Sequence, residues 1–120
     1  TPDNVVFVGG ENSMAAVNLD SNNSPNPQLR SKDINTTATS IDTKGFEQFS
    51  LVQPSASTIS DLKNGFNGKE ITLIAYNGNT TLQHNSKILL RGNSSASIPE
   101  RGVITLRFNV DNWFEVSRNF

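Results

Sequence analysis

Short segments of alternating apolar and polar residues constrain this chain more than any other feature of its sequence. The clearest is 102–110, where apolar side chains at every second position, Ile104, Leu106, Phe108 and Val110, alternate with Thr105, Arg107 and Asn109. Such alternation places the apolar side chains on one face of a β-strand. Because no stretch of the chain has the apolar spacing of an amphipathic helix, the sequence predicts an all-β fold.

The first half of the chain contains weaker extended segments. They cover 4–8, 15–19 and 46–52. The polar segment 20–45 reads as a loop. A loop of that length in a compact domain either packs against a partner chain or contains a strand near 34–41.

The second half contains two predicted hairpins. Residues 70–83 are predicted to form one of them, because extended residues flank Asn77-Gly78, a dipeptide that favours tight turns. Asp111-Asn112 predicts a second tight turn, from 102–110 into a strand that begins at Trp113. Short strands with turn signals at this spacing favour a small jelly-roll-like sandwich or an interleaved β-sheet domain.

The composition is polar but almost uncharged, which excludes several functional classes. The chain has 16 Asn, 14 Ser and 10 Thr among 120 residues, and its net charge is −1. A surface of that charge lacks the cations that nucleic acid binding requires. No apolar run approaches the length of a membrane span, so no membrane insertion is expected. The profile is typical of secreted bacterial and viral surface proteins.

Residues that carry most catalytic chemistry are absent or scattered. The chain has no Cys and a single His, His84, which has no nucleophile motif near it and is expected to be a structural or surface residue. The acidic residues occur singly, whereas glycoside hydrolysis requires a pair at fixed separation. No calcium-binding loop is present. We therefore expect no enzymatic activity, no metal site and no cofactor.

Aromatic residues beside Asn or Asp have the chemistry for binding sugars, since a ring can stack on a sugar while amide and carboxylate groups bond its hydroxyls. Tyr76, Asn77, Asp111 and Asn112 are the candidate glycan contacts. Aromatic residues also dominate buried area, which favours Trp113 as a core or interface anchor. The residues expected to form the core or a trimer interface are Ile71, Leu73, Ile104, Leu106, Phe108 and Trp113.

Several motifs in the second half carry a family resemblance through their order and spacing. They are Gly65 and Gly68 before the strand Ile71-Thr72-Leu73, the pair Thr80-Thr81, the strand 88–92, and Trp113-Phe114-Glu115 near Phe120. The sequence thereby resembles the C-terminal end of phage tail spikes and pre-neck appendage proteins, in which a small β-rich domain follows a pectate-lyase-like β-helix trunk. The resemblance covers about 58–120. It departs from the family pattern at Phe114, where Tyr is frequent, and 1–57 matches no family.

The resemblance implies a non-catalytic distal domain of a virion tail, which we expect to span 1–120 as one unit. Such a domain would form a homotrimer that ends the spike and, in some members, faces the polysaccharide of the host cell surface. Nothing in the sequence resembles the trunk that carries depolymerase carboxylates, so enzymatic activity is not implied. Independently, the low apolar fraction favours oligomerisation, because pairing between chains satisfies backbone groups and removes exposed strand edges. The start at Thr1-Pro2-Asp3, without Met, predicts an excised domain or a cleavage product.

Two alternatives from other functional classes remain open. The chain could be a monomeric carbohydrate-binding module of a secreted enzyme, which predicts sugar binding by a single chain with Trp113 or Tyr76 exposed. It could also be an autocleaving or hydrolytic domain, although no nucleophile constellation is visible in the sequence.

Overall fold

The computed structural model of the chain describes residues 29–120, and within this part the fold is all-β. Its eleven strands are β1 (Ser31–Ile34), β2 (Ser40–Asp42), β3 (Gln48–Leu51), β4 (Ser57–Ile59), β5 (Asp61–Lys63), β6 (Glu70–Ala75), β7 (Thr80–Leu82), β8 (Ile88–Leu89), β9 (Ala96–Ile98), β10 (Val103–Asn109) and β11 (Asn112–Arg118). A single turn of 3-10 helix covers Arg91–Asn93. The predicted strands at 4–8 and 15–19 lie outside the described residues.

The strands stack as successive coils of a solenoid. On one side β1, β3 and β6 pair in parallel, with Ile34, Leu51 and Ala75 in one row. On the other two sides β2 pairs in parallel with β5, and β4 with β7. The chain therefore passes each side once per coil. The predicted all-β class is confirmed, but this parallel stacking forms a solenoid-like arrangement that is not clearly the jelly-roll-like sandwich that the sequence favours.

Antiparallel strands close the solenoid after its last coil. β10 pairs antiparallel with β6 on one edge and with β11 on the other, so the six-stranded sheet has the order β1-β3-β6-β10-β11-β8. β9 pairs antiparallel with β7 in a second sheet of order β9-β7-β4. The parallel stacking of the coils thus ends at β6 and β7, where β10 and β9 run back along them, and the short β8 pairs in parallel with β11 at the far edge of the larger sheet.

The two predicted hairpins have different outcomes. The turn between β10 and β11 is confirmed, with Asn109 paired to Asn112. Val110, which was expected on the buried face, is instead exposed, because it lies in this turn with φ 61° and has left the strand. The hairpin predicted over 70–83 is wrong: β6 and β7 belong to different sheets, and Asn77-Gly78 forms a corner of the solenoid.

The described part of the polar segment 20–45 contains β1 and β2, which confirms the alternative that this segment hides a strand. Both strands are short and mostly exposed, and each contributes one buried side chain, Ile34 and Ile41. Their pairing with β3 and β5 satisfies backbone groups that a loop would leave open. The described part of the segment, 29–45, is therefore a coil of the solenoid.

The core lies between the sheets. Along the strands, mainly every second residue points its side chain into it. Fully buried members include Phe49, Leu51, Ile59, Ile71, Leu73, Leu82, Ile88, Ile98, Ile104, Leu106 and Trp113. Phe108 is half-buried and packs against this cluster. Large side chains from all three sheets meet in one cluster, so the coils and the closing hairpin share a single core.

Candidate functional site

Trp113 of β11 closes the core beside the free edge of β5. Its indole Nε1 donates a hydrogen bond to the Leu62 carbonyl oxygen at 3.0 Å. Its ring meets that of Phe108 edge-on, with centroids 5.1 Å apart. The backbone of Gly65 lies against both rings: a Cβ atom at Gly65 would be 2.4 Å from Cδ1 of Phe108. The tryptophan therefore satisfies a backbone acceptor at the edge of β5 and leaves no space for a side chain at Gly65.

A groove of about 610 Å³ opens beside this contact, between β5, β8 and the β10–β11 turn. Phe108, Leu62 and Trp113 contribute its apolar lining, although Trp113 itself is only 1% exposed. Its polar lining includes two carboxylates and two ammonium groups, from Asp61, Lys63, Lys87 and Asp111. None of these four side chains forms an ion pair with another residue of the described part of the chain.

Asn64 continues the polar lining of the groove and is held in place by β2. Its φ is 65°, a left-handed conformation that Asn tolerates better than most residues. Its side-chain Nδ2 donates to Oδ1 of Asp42 at 2.6 Å, and the backbone N–H of Lys44 donates to the same oxygen. These hydrogen bonds hold the pKa of the Asp42 carboxyl below its usual value. The loop after β5 is thereby tied to the preceding coil.

The candidate glycan contacts do not form one site. Asp111 lines the groove, whereas Asn112 donates its side-chain N–H to the Ser86 carbonyl oxygen and so holds the turn to the loop before β8. Tyr76 is 60% exposed but follows the opposite end of β6, roughly 20 Å away along the strand direction. Asn77 donates to the Gln53 carbonyl oxygen. Of the four residues, only Asp111 lies in the groove.

The outward side of the β10–β11 hairpin carries exposed apolar side chains. Phe114 is 42% exposed and Val116 is 52% exposed. Together with Arg107 and Asn109 they border a hollow of about 400 Å³. We call these four residues the outer hairpin face. Ile71, Leu73, Ile104, Leu106 and Trp113, which were expected in the core or a trimer interface, are buried within the single chain and belong to its core.

A buried glutamine that the sequence analysis missed links three coils at one corner. The Gln53 side chain accepts a hydrogen bond from the Ala38 N–H at 2.9 Å and donates one to Oγ1 of Thr80 at 2.7 Å. Its backbone oxygen accepts hydrogen bonds from the side chains of Asn77 and Asn79. Only the pairing of distant strands brings these residues together, so no local sequence signal reveals the corner.

The end of β11 is fixed by an ion pair. Arg118 donates two hydrogen bonds to the Glu115 carboxylate, each 2.7 Å long, and the Arg91 N–H donates a third at 2.8 Å. These bonds, with that of Arg118 the largest effect, lower the pKa of Glu115. The Arg118 guanidinium also lies 5.0 Å from the centre of the Phe120 ring. The pair joins the last strand to the turn after β8.

The ring of His84 has a structural contact. The ring Nδ1 accepts a hydrogen bond from the Leu90 N–H at 3.0 Å, and the backbone N–H of His84 donates to Oγ of Ser95. Within residues 29–120 no three metal-binding side chains cluster together. The same residues include no helix long and apolar enough to cross a membrane.

Two comparisons with known proteins found no relative of the chain. Neither a protein-family model nor a curated protein matches the chain. The groove, the outer hairpin face and the closed solenoid are therefore the features of the molecule that bear on its function.

Proposed function

We propose that this chain is the non-catalytic distal domain of a phage tail spike or appendage, where it ends a β-solenoid and joins three copies into a homotrimer. The parallel coils followed by closing antiparallel strands support a terminal role, because β10 replaces the next parallel strand on β6. The parts of the proposal that concern the spike, the virion tail and the number of chains come from the sequence resemblance.

The outer hairpin face is the observation that carries this proposal. Phe114 and Val116 place an aromatic and an aliphatic side chain side by side on a strand, with a hollow next to them. Arg107 on the same face forms an ion pair with Glu70, in which Nη2 lies 2.8 Å from Oε2. The face therefore presents a positive and a negative charge to a second copy. In a closed three-fold assembly each chain would bury its outer hairpin face against a neighbour, so that the apolar area would no longer be exposed. Strands of neighbouring chains would then form an interleaved β-sheet where the chains meet.

Light scattering on a sizing column tests this proposal over about tenfold dilution, because assembly follows mass action. We expect the wild-type chain to have three times the mass of one chain. The double variant Phe114→Ser/Val116→Thr should shift toward a monomer, while Tyr76→Ser, which removes an exposed aromatic elsewhere, should leave the mass unchanged. A wild-type monomer, or a double variant that stays trimeric, would refute the role of this face.

Host-surface glycan recognition is the second part of the proposal, and the groove beside Trp113 favours it. The same groove also fits the alternative of a monomeric carbohydrate-binding module. The two functions differ in mass, because the module would bind sugar as a single chain. A monomer that binds sugar would support the module and exclude the spike domain.

A further inference from the structure

The apolar part of the groove is small and fixed. The rings of Phe108 and Trp113 are locked edge-on, and the backbone of Gly65 packs against both of them. The indole N–H is already bonded to Leu62, so this floor offers carbon atoms more than hydrogen-bonding groups. A ligand that meets this floor should therefore present an apolar face of limited size.

The rim of the groove is balanced in charge. Asp61 and Asp111 supply acceptors, while Lys63 and Lys87 supply donors. An anionic ligand would meet two carboxylates and a cationic one would meet two ammonium groups, so neither sign is favoured. A neutral polyhydroxylated ligand avoids both repulsions, because a hydroxyl group donates to carboxylates and accepts from ammonium groups.

The groove also has the size of a ligand site. Its volume of about 610 Å³ lies within the range of roughly 300–1,000 Å³ that is typical of small-molecule sites. Its walls come from β5, β8 and the β10–β11 turn, which are held to one another by the Trp113–Leu62 and Asn112–Ser86 hydrogen bonds. The site is thus largely formed before any ligand binds.

We infer that this groove binds a neutral oligosaccharide, with the C–H face of one sugar ring against the Phe108 ring, which packs on the buried Trp113, and its hydroxyl groups on Asp61, Lys63, Lys87 and Asp111. The inference rests on the glycan-recognition part of the proposed function. Of the four predicted glycan contacts it keeps only Asp111, which acts with Asp61 and Lys63 of β5 and with Lys87 just before β8.

The indole N–H signal of Trp113 in the NMR spectrum is the readout, since it is the only tryptophan and its N–H lies at the groove floor. The probes are neutral hexasaccharides of glucose, mannose, galactose and N-acetylglucosamine, with a polygalacturonate oligomer as the anionic comparison, each added up to about 10 mM to detect weak binding. We expect at least one neutral probe to shift the signal in a saturable way and the anionic probe to bind at least about tenfold more weakly.

Variants then locate the site. Lys87→Ala and Asp111→Ala should each weaken binding of the neutral probe by about tenfold or more, while Tyr76→Ala, at the far end of β6, should leave it unchanged. Unchanged thermal melting shows that a variant is folded, and Lys63→Ala replaces any variant that is not.

Three results would overturn the inference, and they differ in what they leave standing. Binding that survives the groove variants but is lost in Tyr76→Ala would move the site and keep glycan recognition. Preference for the anionic probe would contradict the charge argument. Absence of binding to every probe by a trimeric protein would remove the groove site and the glycan-recognition part together, while the trimer mass would keep the assembly part.

Discussion

Replacing Gln53 with Leu tests how the coils are held together. The two side chains have similar size, so the change removes hydrogen bonds without opening a large cavity. In the wild type, the Gln53 side chain bonds Ala38 in the preceding coil and Thr80 in the following one. Gln53 and Thr80 are fully buried, so the variant leaves a Thr80 hydroxyl without its partner.

The expected cost follows from these two hydrogen bonds. A neutral hydrogen bond contributes about 1 kcal/mol net, and a buried group left without a partner costs about 1–3 kcal/mol. Part of this is offset because leucine is easier to bury than glutamine. We therefore expect Gln53→Leu to lower the free energy of unfolding by about 2 kcal/mol, which corresponds to a melting temperature lower by roughly 10 °C for a domain of this size.

Urea unfolding at one fixed protein concentration, followed by Trp113 fluorescence, measures this free energy. The matched control is Gln83→Leu, because the exposed Gln83 side chain makes only a 3.4 Å contact with Asn85, and it should change stability by less than about 0.5 kcal/mol. Adding Thr80→Val to Gln53→Leu makes both partners apolar and should recover about 1 kcal/mol relative to additivity. If Gln53→Leu costs no more than the control, or the double variant is simply additive, the corner does not link the coils as described.

Two further predictions concern the turns and the acid response. Gly65→Ala should destabilise the fold by about 1–3 kcal/mol, because its Cβ would overlap the Phe108 ring, while Gly78→Ala, with no atom within 4 Å, should be nearly neutral; equal melting temperatures would contradict the packing at Gly65. Because the folded-state pKa of Glu115 is lowered, mainly by Arg118, its stabilisation is present above its usual pKa and is lost as pH falls through the folded value. Glu115→Gln should therefore be less stable at neutral pH and lose less stability between about pH 5 and pH 2; an unchanged acid profile would show that this pair does not contribute.

Local pattern predicted several elements of this fold. The alternation over 102–110 identifies β10 and its buried residues Ile104 and Leu106, and Asp111-Asn112 identifies the turn before Trp113. In each case the signal is contained within a few neighbouring residues. Strand period and turn chemistry were therefore sufficient for the closing hairpin.

The parallel coils could not be predicted in the same way. Ser31, Gln48 and Thr72 occupy equivalent positions at uneven intervals, so the sequence has no visible repeat. Asn77-Gly78 resembles a hairpin turn, but the Asn77 side chain bonds the backbone of Gln53 and makes a corner against the previous coil. The distinction depends on a partner far away in the sequence.

The groove was only partly accessible to sequence analysis. Asp111 was identified because it lies beside Trp113, but Asp61 and Lys63 belong to β5, Lys87 lies just before β8, and none of the three has a motif around it. Their proximity results from β11 lying next to β8 and from the Trp113 contact with β5. Charged residues scattered singly in sequence can thus share one site in the fold.

The role of the outer hairpin face is tested most directly by NMR on a sample that mixes isotope-labelled and unlabelled chains. Filtered experiments on such a sample detect only contacts between different copies. The account predicts intermolecular contacts from the Phe114 ring and the Val116 methyl groups, and none from Tyr76. A multimer whose contacts involve Tyr76 and leave Phe114 and Val116 silent, or a sample with no intermolecular contacts, would contradict it.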